Sequence, residues 1–483
     1  MLFNSLPFLV FAIAVLAIWP IVRRFDRPAW ATLTGLSLFF YGFHKESRWP
    51  SLIYILVAGL VVFALGVAME DRPTRRKTWF GLGLVVTIGG LAVFKYVAPI
   101  AALLNRTMGL HLPERYPIPL AASFISFQLA SYLIDINRGQ VTACRRPLQF
   151  LAYVTFFPRL IAGPVVRAAV LLPQLQERRP ATTEQRWLGC SQFVVGLFKK
   201  NVIADNLGPL VNMAFSVAPV DSSGYWWAMA IIYTAQSYAD FSGYSDMAIG
   251  MARLLGFEIP PNFAHPFCAA GFREFWGRWH ISVSTWFRDY LFFPLAKGWL
   301  PRVRPALRHL AMHLIIWIVM VVSGVWHGVA PGYAIWGALN AVYLSIETAY
   351  NWPAKLSRYP GGRPLAIVLT VLMWSFSQII FRATDLRAAL QIIRTMLSFN
   401  SWDVSQIVAD ERHYQDKFWP LRIAVIAVEH AFVYWTARRA ADSASGPVAT
   451  VLRSWGWPIG IGLLLVMSIV LSGPTAEFVY FKF

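Results

Sequence analysis

Acidic residues are scarce. The 483-residue chain has 24 Asp plus Glu against 43 Lys plus Arg, and charged residues of both signs make up only 14% of it. An ordinary soluble domain carries roughly 25%, so there is too little polar surface to coat even one of the about three globular domains this length would make. Three cysteines occur, Cys144, Cys190 and Cys268, an odd count without CxxC spacing. That excludes a disulfide scaffold and suits inert core positions. The 30 prolines and 32 glycines are scattered, which excludes collagen and low-complexity disorder. Missing motifs narrow the chemistry further: there is no GxxxxGK(S/T) phosphate loop, no GxSxG nucleophile elbow and no HExxH zinc pair. No metal site is expected.

What is present is apolar. Hydrophobic residues make up 57% of the chain, gathered into runs near the roughly 20 residues a helix needs to cross a bilayer. Such runs lie near 2–22, 30–43, 51–69, 79–98, 118–136, 187–204, 224–239, 307–326, 331–350, 364–381, 420–437 and 455–472. Between them fall short basic clusters, among them Arg23, Arg24 and Arg27, Arg72 to Lys77, Arg145 and Arg146, Arg302 to Arg308, and Arg438 and Arg439. This is the positive-inside pattern of cytoplasmic loops, so the net charge of +19 marks topology and not a nucleic-acid site. The first run has its positive charges after it and no small-residue cleavage site, which predicts an uncleaved anchor with the N-terminus outside.

The expected fold is therefore an all-α polytopic membrane protein with about 11–13 transmembrane or re-entrant helices. It is read as one domain over 1–483, with N-terminal helices over 1–147, a catalytic core over 148–350 and C-terminal helices over 351–483. Segments 148–175 and 241–300 are too interrupted by Pro, Gly and charge to face lipid as ordinary spans. Irregular backbone is tolerated at membrane depth only where protein buries it or a watery cavity receives it. The functional cavity is expected there.

Three stretches carry reactive side chains. In Gly271–Pro294, a helical reading puts His280, Ser284 and Arg288 on one face and pairs Glu274 with Arg278 at i, i+4. The bland alternative is an interfacial amphipathic helix with Trp and Arg at headgroup level. In Ser323-Gly-Val-Trp-His327-Gly, one His sits at the break between two apolar helices. An imidazole, with an ordinary pKa of about 6.5, can take a hydroxyl proton near neutrality; the alternative is a His merely hydrogen-bonded between helices. In Tyr238–Asp246, either Asp240 or Asp246 is expected to pair with Arg273, Arg278 or Arg288 and to organise the site rather than act as base. The run Phe157–Pro164 places Arg159 beside helix breakers, which suits a re-entrant turn near a polar ligand.

These residues carry a family resemblance. Arg273-Glu-Phe-Trp-Gly-Arg-Trp-His280 with Trp286-Phe-Arg-Asp-Tyr290, followed by Ser323-Gly-Val-Trp-His327-Gly, resembles the paired signature of the membrane-bound O-acyltransferases, in particular their bacterial alginate O-acetyltransferase subgroup. Further matches run from Leu2-Phe-Asn-Ser through Phe94-Lys-Tyr and Ser131-Tyr-Leu-Ile-Asp135 to Phe478-Val-Tyr-Phe-Lys-Phe483. The resemblance implies that His327 is the catalytic histidine, that His280 is a second polar position, and that the helices surround a funnel and tunnel. It also implies acetyl-CoA as a cytoplasmic donor with no permanently bound cofactor, and a bacterial inner-membrane location. An extracytoplasmic acetyltransferase partner would then modify a polysaccharide, alginate-like first, with cellulose, peptidoglycan or D-alanylated teichoic acid as alternatives. Trp279, Ser323 and Trp326 are candidate donors to the oxyanion. Gly277, Ile125 and Lys482 depart from the subgroup's usual residues, the first of them in the acyl-donor path. A pure transporter and a non-catalytic scaffold are the competing readings.

Overall fold

A computed structural model describes residues 1–43, 49–114, 119–216, 220–414, 419–442 and 456–474; Lys482 and the terminal Phe478–Phe483 motif lie outside them. The described residues are helical, with no strand among them. They form two compact units, Met1–Phe193 with Tyr244–Pro261, and Val194–Gly243 with Asn262–Phe483. Four described helices are long and apolar enough to cross a membrane, Trp49–Asp71, Pro73–Met108, Pro305–His327 and Gly362–Arg382. This is an all-α polytopic membrane protein.

In the first unit the apolar runs become Leu6–Val22, Asp26–Gly42, Trp49–Asp71, Pro73–Met108 and Ala122–Asn137. Ser5 caps the first, its hydroxyl accepting from the Phe8 N–H at 3.3 Å. Buried indoles tie helices to loops: Trp19 donates to the Leu255 carbonyl at 2.7 Å and Trp30 to the Leu175 carbonyl at 2.8 Å. The 148–175 stretch breaks as its Pro and Gly residues predict, into Pro147–Thr155, a turn at Phe157–Leu160, and Ala168–Glu177. Arg159 is fully buried and closes the first break. Its guanidinium donates to the Tyr153 and Val154 carbonyls at 3.1 and 2.6 Å and to the Gln128 side chain, satisfying carbonyls that a helix end leaves without partners. Of the cysteines expected inside, only Cys268 is buried; Cys190 is exposed.

One boundary differs from expectation. Residues 241–254 continue the preceding span, and Ser223–Leu254 is a single 32-residue helix. The small residues that suggested interruption are there for close packing. A Cβ on Gly250 would lie 2.5 Å from the Gly189 carbonyl oxygen in the first unit, and one on Gly243 would lie 2.7 Å from the Gly196 carbonyl oxygen in the second. Small residues let helix backbones approach where lipid offers no hydrophobic drive.

In the second unit, which takes up the Thr183–Phe198 helix at Val194, that helix runs into a π-helical turn, Lys199–Ala204, before Asp205–Ala214. The turn aims Lys200 inward, where its ammonium lies 2.7 Å from both Asp205 and Asp240. All three side chains are nearly solvent-free, at 2–3% exposure. Asp240 therefore pairs with a lysine instead of the arginines expected for it. A lysine within an apolar run reads as a snorkelling residue, and the π turn that redirects it has no sequence signature. Lys200→Met leaves two buried carboxylates without their cation and should destabilise by about 3–5 kcal/mol, whereas exposed Lys355→Met should stay within about 0.5 kcal/mol of the parent. Thermal midpoints of the detergent-solubilised variants measure the difference.

Candidate active site

The site is built on a helical hairpin in the second unit. Arg308–His327 ends at His327, Gly328 is extended, and Pro331–Tyr350 turns back. The two backbones touch: a Cβ on Gly324 would lie 2.2 Å from the Tyr333 carbonyl oxygen, and one on Gly337 would lie 2.4 Å from that of Met320. This contact fixes His327 as the last helical residue. Its ring is 7% exposed and lies among aromatic rings, 4.7 Å from Trp326, 5.3 Å from Trp336 and 5.1 Å from Phe381 between centroids. Val329, Ala330 and Pro331 just beyond are exposed, so the imidazole sits within a few residues of the surface on that side.

On the other side it meets a cavity of about 500 Å³. Met312, Ile316, Val319, Ser323 and His327 line it from one helix at spacings of three and four, and Trp336, Leu344 and Thr348 line it from the other. At 1.5 Å per residue, Met312 to His327 is about 22 Å, most of the hydrocarbon thickness. The cavity is thus a passage running along the hairpin.

The 271–294 segment forms a second wall. It is three pieces: Phe272–Trp276, Ile281–Phe287 and a π-helical turn at Arg288–Phe292. Phe272 and Phe275 are fully buried and Trp279 nearly so, whereas Phe293 is exposed, so the first half of the segment packs into the core. The break is at His280, whose φ of +44° is left-handed, a costly conformation for a non-glycine residue and one concentrated at functional sites. Asn262 holds it. The Asn262 side-chain oxygen accepts from the Ser282 N–H at 3.2 Å and faces His280 Nδ1 at 3.0 Å. An oxygen that accepts from one neighbour must accept from the other, which assigns the His280 proton to Nδ1 and leaves the Nε2 lone pair as an acceptor. Trp326 lies near both histidines, 6.4 Å from His280 and 4.7 Å from His327 between centroids.

The far end of the cavity is basic. Arg273 and Arg288 line it with side chains 54% and 55% exposed. Arg278 and Arg363 share Glu274 at 2.9 and 3.2 Å, so the expected Glu274–Arg278 pair forms even though the helix stops at Trp276. Glu347 anchors this rim. Its buried carboxylate accepts from the N–H groups of Phe272 and Arg273 at 2.5 and 3.3 Å and lies 4.0 Å from the Arg273 guanidinium. Gly271, with φ +137°, makes room, since a Cβ there would lie 3.0 Å from the Glu347 carboxylate and 2.7 Å from Pro353.

Of the residues singled out by sequence, His327, His280, Arg273, Trp279, Ser284, Arg288 and Ser323 line one cavity, with His280, Ser284 and Arg288 on a common face. Trp326 packs against both imidazoles without lining it. Arg278 and Asp240 support the wall through Glu274 and Lys200. Arg159 and Asp246 do not line it; they lie in the first unit, where Asp246 accepts from Gln192 at 3.0 Å. Sequence reading missed Glu347, Trp336, Trp374, Gln378 and Phe381. No group of three His, Cys, Asp or Glu placed to hold a metal ion occurs among the described residues.

Residues 145–387 match the profile of the membrane-bound O-acyltransferase family. The chain is 37% identical over 357 residues to a probable alginate O-acetylase AlgI of Pseudomonas putida, covering 72% of this chain and 70% of that one. It is 30% identical over 395 residues to a peptidoglycan O-acetyltransferase of Helicobacter pylori, covering 75% and 73%. With a teichoic acid D-alanyltransferase of Bacillus subtilis it shares 28% identity over 295 residues, covering 58% and 72%.

The hairpin contact is directly testable. Gly324→Ala drives a methyl into a backbone carbonyl that no side-chain rotation can clear. Overpacking of this kind costs about 1–3 kcal/mol, and a displacement of about 1 Å at a reacting group costs about a hundred-fold in rate. Turnover and thermal midpoint should both fall, whereas Gly35→Ala, with nothing within 4 Å of the added carbon, should lower neither.

Proposed function

The chain belongs to the membrane-bound O-acyltransferase family and is a membrane-embedded O-acyltransferase, and from that premise we propose that it takes acetyl groups from cytoplasmic acetyl-CoA for O-acetylation of an extracytoplasmic, alginate-like polysaccharide, with His327 as general base. The membrane is the bacterial inner membrane, with the N-terminus outside and the Arg302–Arg308 cluster inside. An extracytoplasmic partner enzyme relays the acetyl group to the polymer.

The carrying observation is the charge of the passage. It has two arginines and no Asp or Glu among its lining residues, and it ends at a histidine. The phosphates of an anionic thioester carrier suit half-exposed guanidinium groups, and the length along the hairpin suits the carrier's flexible arm. An uncharged acyl group suits the aromatic inner end. A D-alanyl group carries an ammonium, which at the inner end would lie among aromatic rings with no lining carboxylate to receive it; burying an unpaired charge is costly. That favours acetyl over D-alanyl.

The reaction needs no net proton. An acceptor hydroxyl gives its proton to the His327 imidazole as its oxygen attacks the thioester carbonyl. The C–S bond then breaks, and the imidazolium returns the proton to the leaving thiolate. The His280 Nε2 lone pair, fixed by Asn262, orients a second hydroxyl or water beside the site. Arg273 and Arg288 bind the carrier, Trp279 and Ser284 shape the wall, and Ser323, one turn before His327 on the same stripe, supplies a hydroxyl near the oxyanion. Trp326 packs against both imidazoles, while Asp240, Arg278, Asp246 and Arg159 are structural supports.

General-base removal typically costs about 10²–10⁴-fold. His327→Ala should therefore abolish polymer O-acetylation in a complemented deletion strain while the protein inserts at normal abundance. Mass analysis of the polymer shows which ester disappears and so names the acceptor. Retained acetylation would support a scaffold, and uptake of intact acetyl-CoA into vesicles without thiol release would support a transporter.

A further inference from the structure

We propose that the Leu386–Ser398 helix and the turn after it bind a carboxylate-bearing polysaccharide strand on the outer face of the membrane. The inference rests on the outside placement and the polysaccharide acceptor of the reading above, and adds to it the surface that receives the polymer. With Arg302–Arg308 inside, Arg308–His327 runs outward, Pro331–Tyr350 returns and Gly362–Arg382 runs outward again. The segment that follows therefore lies outside, and it begins just beyond Phe381, whose ring is 5.1 Å from that of His327. Positive charge is what outer segments ordinarily lack. This one carries Arg387 and Arg394, both exposed, directly after Arg382. Among the described residues none of the three pairs with a carboxylate; Arg382 donates to the Asn212 side chain at 2.6 Å and lies over the Phe215 ring at 5.2 Å. The acids nearby are already engaged. Asp385 caps the helix, accepting from the Ala388 N–H at 2.9 Å, Asp403 accepts from the Ser405 N–H and hydroxyl at 2.8 and 3.0 Å, and Asp221 accepts from the Asn400 side chain at 2.7 Å. The counter-charge for the arginines has to come from outside the chain.

The spacing suits a polymer. Arg387 and Arg394 stand two helical turns apart on one face, about 10.5 Å along the axis, close to the repeat at which a 1,4-linked polyuronate presents carboxylates on the same side. At about 100° per residue they fall opposite the buried Ala389, Ile392 and Met396, whereas exposed Leu390 and Leu397 fall on one flank. The flank is the part that suits lipid, and the arginines point away from the protein body toward water, which favours a soluble polyanion over a headgroup. The strip is also rigid. Ser223 and Trp227 donate to the Thr395 and Met396 carbonyls at 2.6 and 3.3 Å, satisfying carbonyls that a helix end leaves open. The helix stops at Phe399, whose φ of +50° is left-handed, a conformation uncommon for a bulky residue and concentrated at functional sites. A Cβ on Gly224 would lie 2.8 Å from the Trp402 backbone, so Trp402 is fixed as well. Yet the Phe399 and Trp402 rings are 59% and 62% exposed and lie together, 6.0 Å apart at 37°. Fixed, exposed rings beside cations offer the C–H faces of a sugar a flat apolar platform.

The experiment places the full-length protein in nanodiscs of zwitterionic lipid and titrates it by calorimetry with a hexameric 1,4-linked oligouronate and with a neutral 1,4-linked hexasaccharide. The parent should bind the oligouronate at least about five-fold more tightly, and added salt should narrow the difference. Arg387→Gln combined with Arg394→Gln should raise the oligouronate Kd at least about five-fold and leave that of the neutral sugar alone. Trp402→Ala should weaken both sugars. Arg302→Gln combined with Arg304→Gln, on the opposite side of the membrane, should change neither. A parent without preference for the oligouronate, or an Arg387 and Arg394 double variant that binds it as the parent does, overturns the proposal. So does an absence of oligouronate binding together with an arginine-dependent rise in thermal midpoint when phosphatidylglycerol enters the nanodisc, which assigns the surface to lipid headgroups. Thiol release from acetyl-CoA is read in the same nanodiscs. A parent that releases thiol but binds no oligouronate overturns this surface alone, and one that binds the oligouronate but releases no thiol overturns the acyl-transfer reading and keeps the surface.

Discussion

The site depends on one close approach of two backbones. Gly324 against the Tyr333 carbonyl and Gly337 against the Met320 carbonyl leave no space for even a methyl group between the helices of the hairpin. In a bilayer such packing replaces the hydrophobic drive that would hold helices together in water. It also makes the end of the Arg308–His327 helix a fixed point. His327 is a terminal helical residue with an extended glycine after it, so its ring is delivered to the end of a passage about 22 Å long instead of being enclosed midway along a span. Position, burial and access therefore follow from a few glycines.

Much of this was legible in the chain. A Trp-His-Gly sequence followed by Pro331 says that one helix stops at His327 and another starts shortly after, and it does so because extended glycine and an N-terminal proline leave few other geometries. The broken segments were legible for the same reason, apart from 241–254. There, Gly243 and Gly250 serve helix contact, a use of small residues that sequence alone does not distinguish from interruption. The common face of His280, Ser284 and Arg288 survived a break in the helix because the left-handed turn falls on His280 itself.

The unread part was the wall. Aromatic residues make up 15% of the chain, so nothing marks Trp336 and Phe381 as the ones brought around an imidazole from two different helices. Glu347 lies near the end of a span, where a charge ordinarily meets headgroups; the structure instead turns it inward onto two N–H groups at the start of Phe272–Trp276. Lys200 is similar. Glu347 and Lys200 each meet a partner distant in sequence, Phe272 and Asp240, and pairing across such distances is set by helix packing.

The two ends of the passage put opposite demands on the protein. At one end half-exposed arginines are kept partly neutralised: Arg273 by Glu347, Arg288 by Asp289, and Arg278 and Arg363 by a shared Glu274. Such pairs, at moderate exposure, contribute little to stability and yield readily to an anion that offers several oxygens at once. At the other end aromatic rings surround His327 and no charged side chain lines the cavity beside it, which strengthens every dipole that acts on a developing oxyanion. A carrier with phosphates at one terminus and a small neutral acyl group at the other has this same polarity. The fit is therefore one of charge sequence along a line, and it follows from the order in which arginine, tryptophan and histidine occur along the hairpin and the broken segment beside it.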